Sequence, residues 1–323
     1  MYDMKKTPRL GSEELHTFVV VAQLRSFSAA AEVLHKTTSA ISYRIKILED
    51  RLGVALVERT TRSVSLTPSG EMLLEKASQM LEWQQSIPEE LKQIRDGIEP
   101  HFTLVVNNLL YDAKAAAKLL LHLHEKFPGT VFKIQKAVYM GVWDAMQYGG
   151  GQAAFGAPGF HTISDDFRAE PMGIINWVLV AAVDHPVTKQ NGAVTFDVLR
   201  QYPVINIEDT SLKLQKRSPW RLTGQQELIV PDMETKIDCH SEGLGIGFLP
   251  KSIAFEAIRA QKLVEIPLSS VYRPPSPLSL VWRLKGAGKI SEYLRHLIHA
   301  QDALILPFLR SLSDPEEKTN EEY

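Results

Sequence analysis

The stretch LHKTTSAISYRIKILED, residues 34–50, leaves this chain the fewest options for a fold. Wound as a helix at about 100° per residue, it gathers Ile41, Ile45, Leu48 and Leu52 within roughly a quarter of the circumference. Ser39, Ser42, Tyr43, Lys46 and Asp50 fall on the opposite side. The pattern predicts a helix over about 39–52, closed by Gly53 in a left-handed cap. Ahead of it, SEELHTFVVVAQLR (12–25) sets Leu15, Phe18, Val19 and Ala22 at helical spacing behind Ser12 as N-cap. SAAAEVLH (28–35), capped by Ser28, is a second short helix, and Lys36 to Thr38 form a polar turn. Three short helices joined by tight turns, the third open on one face, make a helix-turn-helix. VALVERTTRSVSLT (54–67) then alternates apolar and polar residues around Thr60–Ser63, which predicts a small hairpin, or wing.

The open face of the third helix is either ordinary solvated surface or a contact surface, and the local charge favours contact. Residues 36–47 hold three basic side chains and no acid, and the wing adds Arg59 and Arg62 against Glu58. Over 33–66, six Lys and Arg stand against three Asp and Glu, in a chain whose formal net charge is −2. Neutralised phosphates supply much of the affinity for double-stranded DNA, and hydroxyls bond phosphates or base edges. The expected DNA-reading set is therefore Ser39, Ser42, Tyr43 and Lys46, flanked by Thr37, Thr38 and Arg44, with Arg59 and Arg62 on the adjoining backbone.

TPSGEMLLEKASQMLEWQQ opens a long helix. Leu73, Ala77, Met80, Gln84, Ile87, Leu91 and Ile94 step by four and three, like a coiled-coil seam, so pairing with a second copy is expected. Pro88, behind Ser86 as a cap with Glu89 following, predicts a break and restart. From 102 the pattern changes. FTLVV, a helix at 112–126, TVFKIQKAV, the helix MGVWDAMQYG and QAAFG form one α/β set. INWVLVAAV (175–183), the helix TFDVLRQY, PVINI (203–207), the helix DMETKIDCHSEG and IGFLP form a second. LSLVWR (278–283) and a helix at 288–300 resume the first. The acidic end, DPEEKTNEEY, predicts a disordered tail over 311–323.

SFSAAAEVL followed by TTSAISYRIKILEDRLGVALVERTTRSVSLTPSG resembles the winged helix-turn-helix of LysR-type transcriptional regulators over its whole length. The residues that carry the likeness are Ala30–Ala31 with Leu34, Ala40–Ile41–Ser42, Ile45 with Leu48–Glu49, Leu52–Gly53, Arg59 with Arg62, and Leu66–Thr67 with Gly70. The chain departs from the family at Thr38–Ser39, where Gln-Pro is usual; Thr38 is expected to act as an N-cap instead. Tyr43 also stands where a basic or amide residue is common. The resemblance implies an α/β protein with an N-terminal winged helix-turn-helix (1–67), a linker and dimerisation helix (68–100) and an effector-binding domain (101–310). That domain would be two-lobed and periplasmic-binding-protein-like, with lobe I about 101–163 and 269–310, and lobe II about 164–268.

Effectors of such folds sit between the lobes, near strand carboxyl ends and helix amino ends. By position this nominates Asn107, Asn108, Tyr139, Met140, Phe155 and Gly156 from the first lobe. Glu208, Asp209, Thr210, Ser211, Gly245 and Gly247 are the nominees of the second. NNLLYD, YMGVWD, NIEDTS, VPDMETK, GLGIGFLPKS and RPPSPLSLVWR further resemble the branch of the family concerned with allantoin and purine utilisation in enteric bacteria. A ureide, purine or related acid is the effector this implies, in a nitrogen-scavenging activator. A homodimer or homotetramer, double-stranded DNA and RNA polymerase are the implied partners.

Other classes find little support. His122 and His124 are two apart and do not make H-E-x-x-H, GLGIG opens a strand rather than a helix, and GGGQ lacks the Lys-Ser/Thr of a phosphate loop. The single Cys239 excludes a disulfide framework and reads as a buried structural thiol. No enzyme activity, metal or cofactor is expected. No apolar run approaches the roughly 18–20 residues of a membrane span, and the N-terminus has no signal-peptide core, so a cytoplasmic protein is expected. A solute-binding receptor would share the two-lobed domain but would leave the first 67 residues unexplained.

Overall fold

In the computed structural model, which describes residues 10–59, 64–190, 194–267 and 273–312, Ile41, Ile45 and Leu48 are wholly buried. They meet Leu15, Phe18, Val21, Ala30 and Ala31 from the two preceding helices. Those elements are α1 (Ser12–Leu24), α2 (Phe27–Val33) and α3 (Thr38–Leu52). The caps differ from expectation. Gly11, not Ser12, precedes α1, and its N–H donates to the Glu14 carboxylate. Ser26, not Ser28, caps α2 through the Ala29 N–H. Thr37, not Thr38, caps α3: its extended backbone turns Oγ1 onto the Ala40 N–H at 3.2 Å. Thr38 becomes the first helical residue. Gly53 closes α3 at φ 70° as expected.

The turn into the wing is built from the residues that carried the family likeness. Glu49 Oε1 accepts the N–H groups of Leu56 (2.8 Å) and Val57 (3.2 Å). The wing strands β1 (Val57–Arg59) and β2 (Val64–Leu66) pair antiparallel, Val57 opposite Leu66. Thr60–Ser63, and so Arg62, lie outside the described residues. Thr67 Oγ1 donates to the Ala55 carbonyl and accepts the Gly70 N–H, opening α4 (Pro68–Arg95). Here the backbones come so close that a Cβ on Gly70 would lie 2.1 Å from the Leu56 carbonyl oxygen.

Helix α4 runs unbroken through Pro88, without the expected restart. The Ser86 hydroxyl turns back to the Trp83 carbonyl and the Glu90 carboxylate instead of capping a new helix. The expected seam is also divided. Leu73 and Ala77, with Leu74 and Leu81, join the N-terminal core, while Met80, Trp83, Leu91 and Ile94 are exposed.

The chain divides into two compact units, Met1–Lys92 and Gln93–Tyr323. In the second, a five-stranded sheet has the order β4-β3-β5-β12-β6, from β3 (His101–Asn107), β4 (Val131–Ala137), β5 (Ala153–Pro158), β6 (Phe167–Ile175) and β12 (Ser276–Arg283). The first three run parallel; β12 is antiparallel to both its neighbours. Helices α5 (Ala113–Lys126) and α6 (Gly141–Tyr148) are the crossovers, and α10 (Lys289–His299) packs on the same core. Strand β6 was not expected, because Arg168, Glu170 and Pro171 interrupt any alternation. Its eight-residue register with β12 moves the crossing to the second sheet from 164 to Asn176.

In the second sheet, β7 (Trp177–Ala182) lies between β10 (Gly247–Pro250) and β11 (Leu263–Glu265). Parallel strands β8 (Val204–Ile207) and β9 (Glu227–Val230) join it through a Val204–Ile246 bridge. One-turn α7 (Phe196–Leu199), α8 (Met233–Ser241) and α9 (Lys251–Arg259) complete this lobe, and α11 (Leu306–Leu309) ends the described chain. The expected tail from Ser313 onward lies outside the described residues.

Gly70→Ala should lower the stability of the N-terminal unit by about 1–3 kcal/mol, since the new methyl meets a fixed carbonyl. Urea unfolding followed by circular dichroism checks this; a variant as stable as the parent would refute the close approach.

Candidate nucleic-acid interface and effector cleft

On α3, Thr37, Thr38, Ser39, Tyr43 and Lys46 are exposed and Ser42 is half-buried. Tyr43 shows two-thirds of its surface (66 %) to solvent, unusual for an aromatic residue outside a contact face. Lys46 makes no ion pair among the described residues, and Ser42, Tyr43 and Lys46 line one shallow depression. Thr37 spends its hydroxyl on the cap and on Ser39 Oγ at 3.0 Å. Arg44 points elsewhere: Nη1 lies 2.6 Å from Glu13 and 3.5 Å from Thr17 Oγ1, bracing α3 against α1. Arg59 sits on β1 at the described edge of the wing. The exposed cation of the helix face is thus Lys46, with hydroxyl donors around it.

The second unit brings most of the nominated cleft residues together, but largely through bonds to one another. The segment after β8 leaves its own sheet and docks on α6 of the other lobe. Asp209 accepts the N–H groups of Met140 and Gly141 at 3.0 Å each, placing a carboxylate on the positive amino end of that helix. It also accepts Ser211 N–H and Arg217 N–H. Thr210 Oγ1 accepts the Val138 N–H at 2.9 Å. Asp144, inside α6, answers in kind: one oxygen accepts Ser211 Oγ and the N–H groups of Leu212, Lys213 and Leu214, at 2.6–3.0 Å. Burial pushes its pKa up, but these hydrogen bonds outweigh burial and hold it below the ordinary 3.8.

The remaining nominees divide by role. Asn107 is committed, donating to the Gly156 carbonyl and accepting the Leu109 N–H. Phe155 is wholly buried and edge-on to Phe308, a packing residue rather than a cleft wall. Gly156, Gly245 and Gly247 mark close packing against Leu110, the Pro203 carbonyl and the His240 ring. Glu208 pairs with Lys216 at the surface. Asn108 is different: it is 8 % exposed, and its side-chain amide finds no hydrogen-bond partner among the described residues. Tyr139 adopts φ 48°, a conformation side chains rarely take, and its hydroxyl lies 3.4 Å from Arg273 Nη2. Such strain gathers at ligand clamps.

Several residues around this point carried no sequence signal. The Arg273 guanidinium stacks on Trp177, 3.5 Å from the ring centroid, with Phe248 at 5.5 Å. Lys236, only 4 % exposed, reads in METKIDCH as an ordinary solvated lysine; its spacing from Met233 and His240 was the one clue to an inward face. Burial, with Arg273 adding, pushes its pKa down to about 7. His240 is wholly buried, its Nδ1–H donating to the Gly245 carbonyl, and its Nε2 has no partner among the described residues. Burial holds it neutral, with a pKa of about 3. A pocket of about 520 Å³ is lined by Met140, Pro158, Leu214, Arg217 and Pro277 among others, and not by Lys236, His240 or Arg273. Cys239 is half-buried. No cluster of potential metal ligands occurs among the described residues, and no helix there is long and apolar enough to cross a membrane.

Residues 12–71 match the family model described as bacterial regulatory helix-turn-helix protein, lysR family, and 97–299 match the LysR substrate binding domain. The chain is 47 % identical over 297 residues to the HTH-type transcriptional activator AllS of Salmonella typhimurium, covering 92 % of this chain and 96 % of that protein. It is 31 % identical over 297 residues to the HTH-type transcriptional regulator PunR of Escherichia coli K12, covering 92 % and 94 %. Among solved structures, a hydrogen-peroxide-bound cysteine mutant of OxyR from Corynebacterium glutamicum gives a TM-score of 0.52 at 20 % identity, covering 94 % of this chain and 99 % of that one. At that identity the likeness bears on fold alone.

Asp144→Ala should destabilise the second unit by about 2–4 kcal/mol, because four donors lose a charged acceptor together. The depressed carboxyl pKa makes this contribution present above pH ~4 and lost as pH falls below it. Melting curves of parent and variant should therefore converge in acid; a constant gap down to pH ~2.5 would contradict the assignment.

Proposed function

This chain belongs to the LysR family of bacterial transcriptional regulators, and from that premise we propose a cytoplasmic, homo-oligomeric activator whose effector comes from purine or ureide catabolism. Family membership makes it a DNA-binding regulator that responds to an effector, not an enzyme. The observation that carries the DNA-reading assignment is the α3 surface: Ser39, Tyr43 and Lys46 are exposed and Ser42 half-buried, while Ile41, Ile45 and Leu48 are locked in the core. Inserted in a major groove, such a helix would read base edges with its hydroxyls and anchor on phosphate through Lys46. Arg44 acts as a brace, and Arg59 and Arg62 remain assigned to the flanking backbone.

Two copies are needed because one helix-turn-helix covers too short a site. The exposed Met80, Trp83, Leu91 and Ile94 of α4, spaced by three, eight and three, suit pairing with a second copy. The pathway rests on likeness to AllS and PunR through 92 % of the chain. The effector is assigned to the space beside Asn108, Tyr139 and Met140, with Asp209, Thr210 and Ser211 holding the lobes around it. RNA polymerase contact follows from activation.

Lys46→Ala should weaken operator binding about tenfold and reduce the salt slope by about one, while leaving effector-induced melting shifts intact. Footprinting at two salt concentrations and thermal shift on the same preparations test both. Loss of both responses would mean that Lys46 supports the fold, and absence of a protected site near purine or ureide genes would remove the pathway assignment.

A further inference from the structure

Between the lobes, buried Lys236 and half-buried Arg273 stand together without a paired acid among the described residues. Lys236 projects from α8 and is 4 % exposed; Arg273 lies on the segment returning to β12. Neither makes an ion pair with a carboxylate among the described residues. Arg273 has aromatic neighbours, Trp177 and Phe248, and one long hydrogen bond to Tyr139. These seat a guanidinium without supplying counter-charge. Arg217 adds a third positive charge close enough to be felt at Arg273. Asp232, the N-cap of α8, is taken by the Thr235 N–H and by Lys136, and neither Glu234 nor Asp238 pairs with Lys236 among the described residues.

Burying a basic group without a paired acid is costly, and a hydrophobic residue of similar volume commonly serves a fold better. The pair is therefore poorly explained by stability. Its chemistry suits an anion. Arg273 presents a planar fork held flat by Trp177, and Lys236 presents a compact ammonium from a different element. Asn108, 8 % exposed and with no side-chain hydrogen bond among the described residues, adds a neutral donor and acceptor just after β3. A planar group with one negative charge and polar substituents matches this set better than a bare tetrahedral ion.

We infer that Lys236 and Arg273 form the anion-recognition point of the effector cleft, and that the effector carries a carboxylate. This rests on the cleft reading given above and narrows it: among ureides and purine products, open-chain acids are selected over neutral rings. Tyr139 positions the guanidinium by accepting a hydrogen bond from Arg273 Nη2 at its hydroxyl. His240, one turn beyond Lys236, stays neutral and adds no competing charge.

The groups facing the ammonium are Arg273, His240 and, through Arg273, Tyr139 and Arg217; His185 acts on it only through His240. With its pKa pushed down to about 7 by burial and by Arg273, Lys236 is mostly neutral at pH 8. A bound carboxylate raises that pKa, so binding at pH 8 should take up a proton.

Isothermal titration of the full chain with allantoate, glyoxylate, neutral allantoin and inorganic phosphate tests the inference. One carboxylate should bind at least about tenfold more tightly than allantoin or phosphate. Lys236→Met should weaken it about tenfold or more while the unliganded variant melts no lower than the parent, and Lys236→Arg should restore most of the affinity. Titrations at pH 8 in two buffers of different ionisation enthalpy should show proton uptake that Lys236→Met abolishes. Allantoin binding as tightly as the acids, carboxylate binding indifferent to Lys236→Met, or no heat from any probe would each overturn the proposal. The cleft reading itself falls only if a probe that binds is also indifferent to Asn108→Ala and Tyr139→Phe.

Discussion

The effector domain depends on the Asp209 carboxylate seated on the first amides of α6. Four backbone donors converge on it, from Met140, Gly141, Ser211 and Arg217. Because Met140 and Gly141 belong to one lobe and Asp209 to the chain leaving β8 of the other, this contact decides how the lobes meet. Asp144 makes the reciprocal contact, receiving the next turn of the same segment on one oxygen. Two carboxylates thus replace water at a helix terminus and at a tight turn, satisfying donors that would otherwise be left bare. Beside them lies Tyr139, whose hydroxyl accepts a hydrogen bond from Arg273.

The N-terminal unit solves a different problem, holding one helix face outward without letting the helix rotate. Ile41, Ile45 and Leu48 fix it from below. Arg44 ties its flank to Glu13, and Arg51 ties its end to Glu14. Glu49 continues the restraint into the wing by accepting two consecutive amides, and Gly70 lets α4 approach the same strand entry. These contacts hold the outward set of Ser39, Ser42, Tyr43 and Lys46 on the face opposite the core.

Much of this was legible in the chain. The alternation of apolar and polar positions in α3 specified its buried face, since a helix can turn only one stripe to a core. The paired α/β segments from 102 onward announced two sheets. Caps were read one or two residues off where hydroxyls cluster, because Ser26, Ser28, Thr37 and Thr38 can all cap and only the local backbone angle chooses. Strand β6 was hidden by charged and proline residues on a sheet edge, where one side faces water and alternation lapses.

The sequence by itself determined the helix-turn-helix, its exposed polar face and the family likeness, because these depend on contacts between residues close in the chain and on motifs of fixed spacing. Tertiary structure alone decided that α4 continues through Pro88, that its apolar seam divides between core and surface, and that Arg44 is a brace. It alone brought Lys236 beside Arg273, residues drawn from a helix and a distant return strand. A lysine on a solvated helix and one in a closed cleft have the same local sequence; burial, set by the packing of other elements, makes the chemical difference.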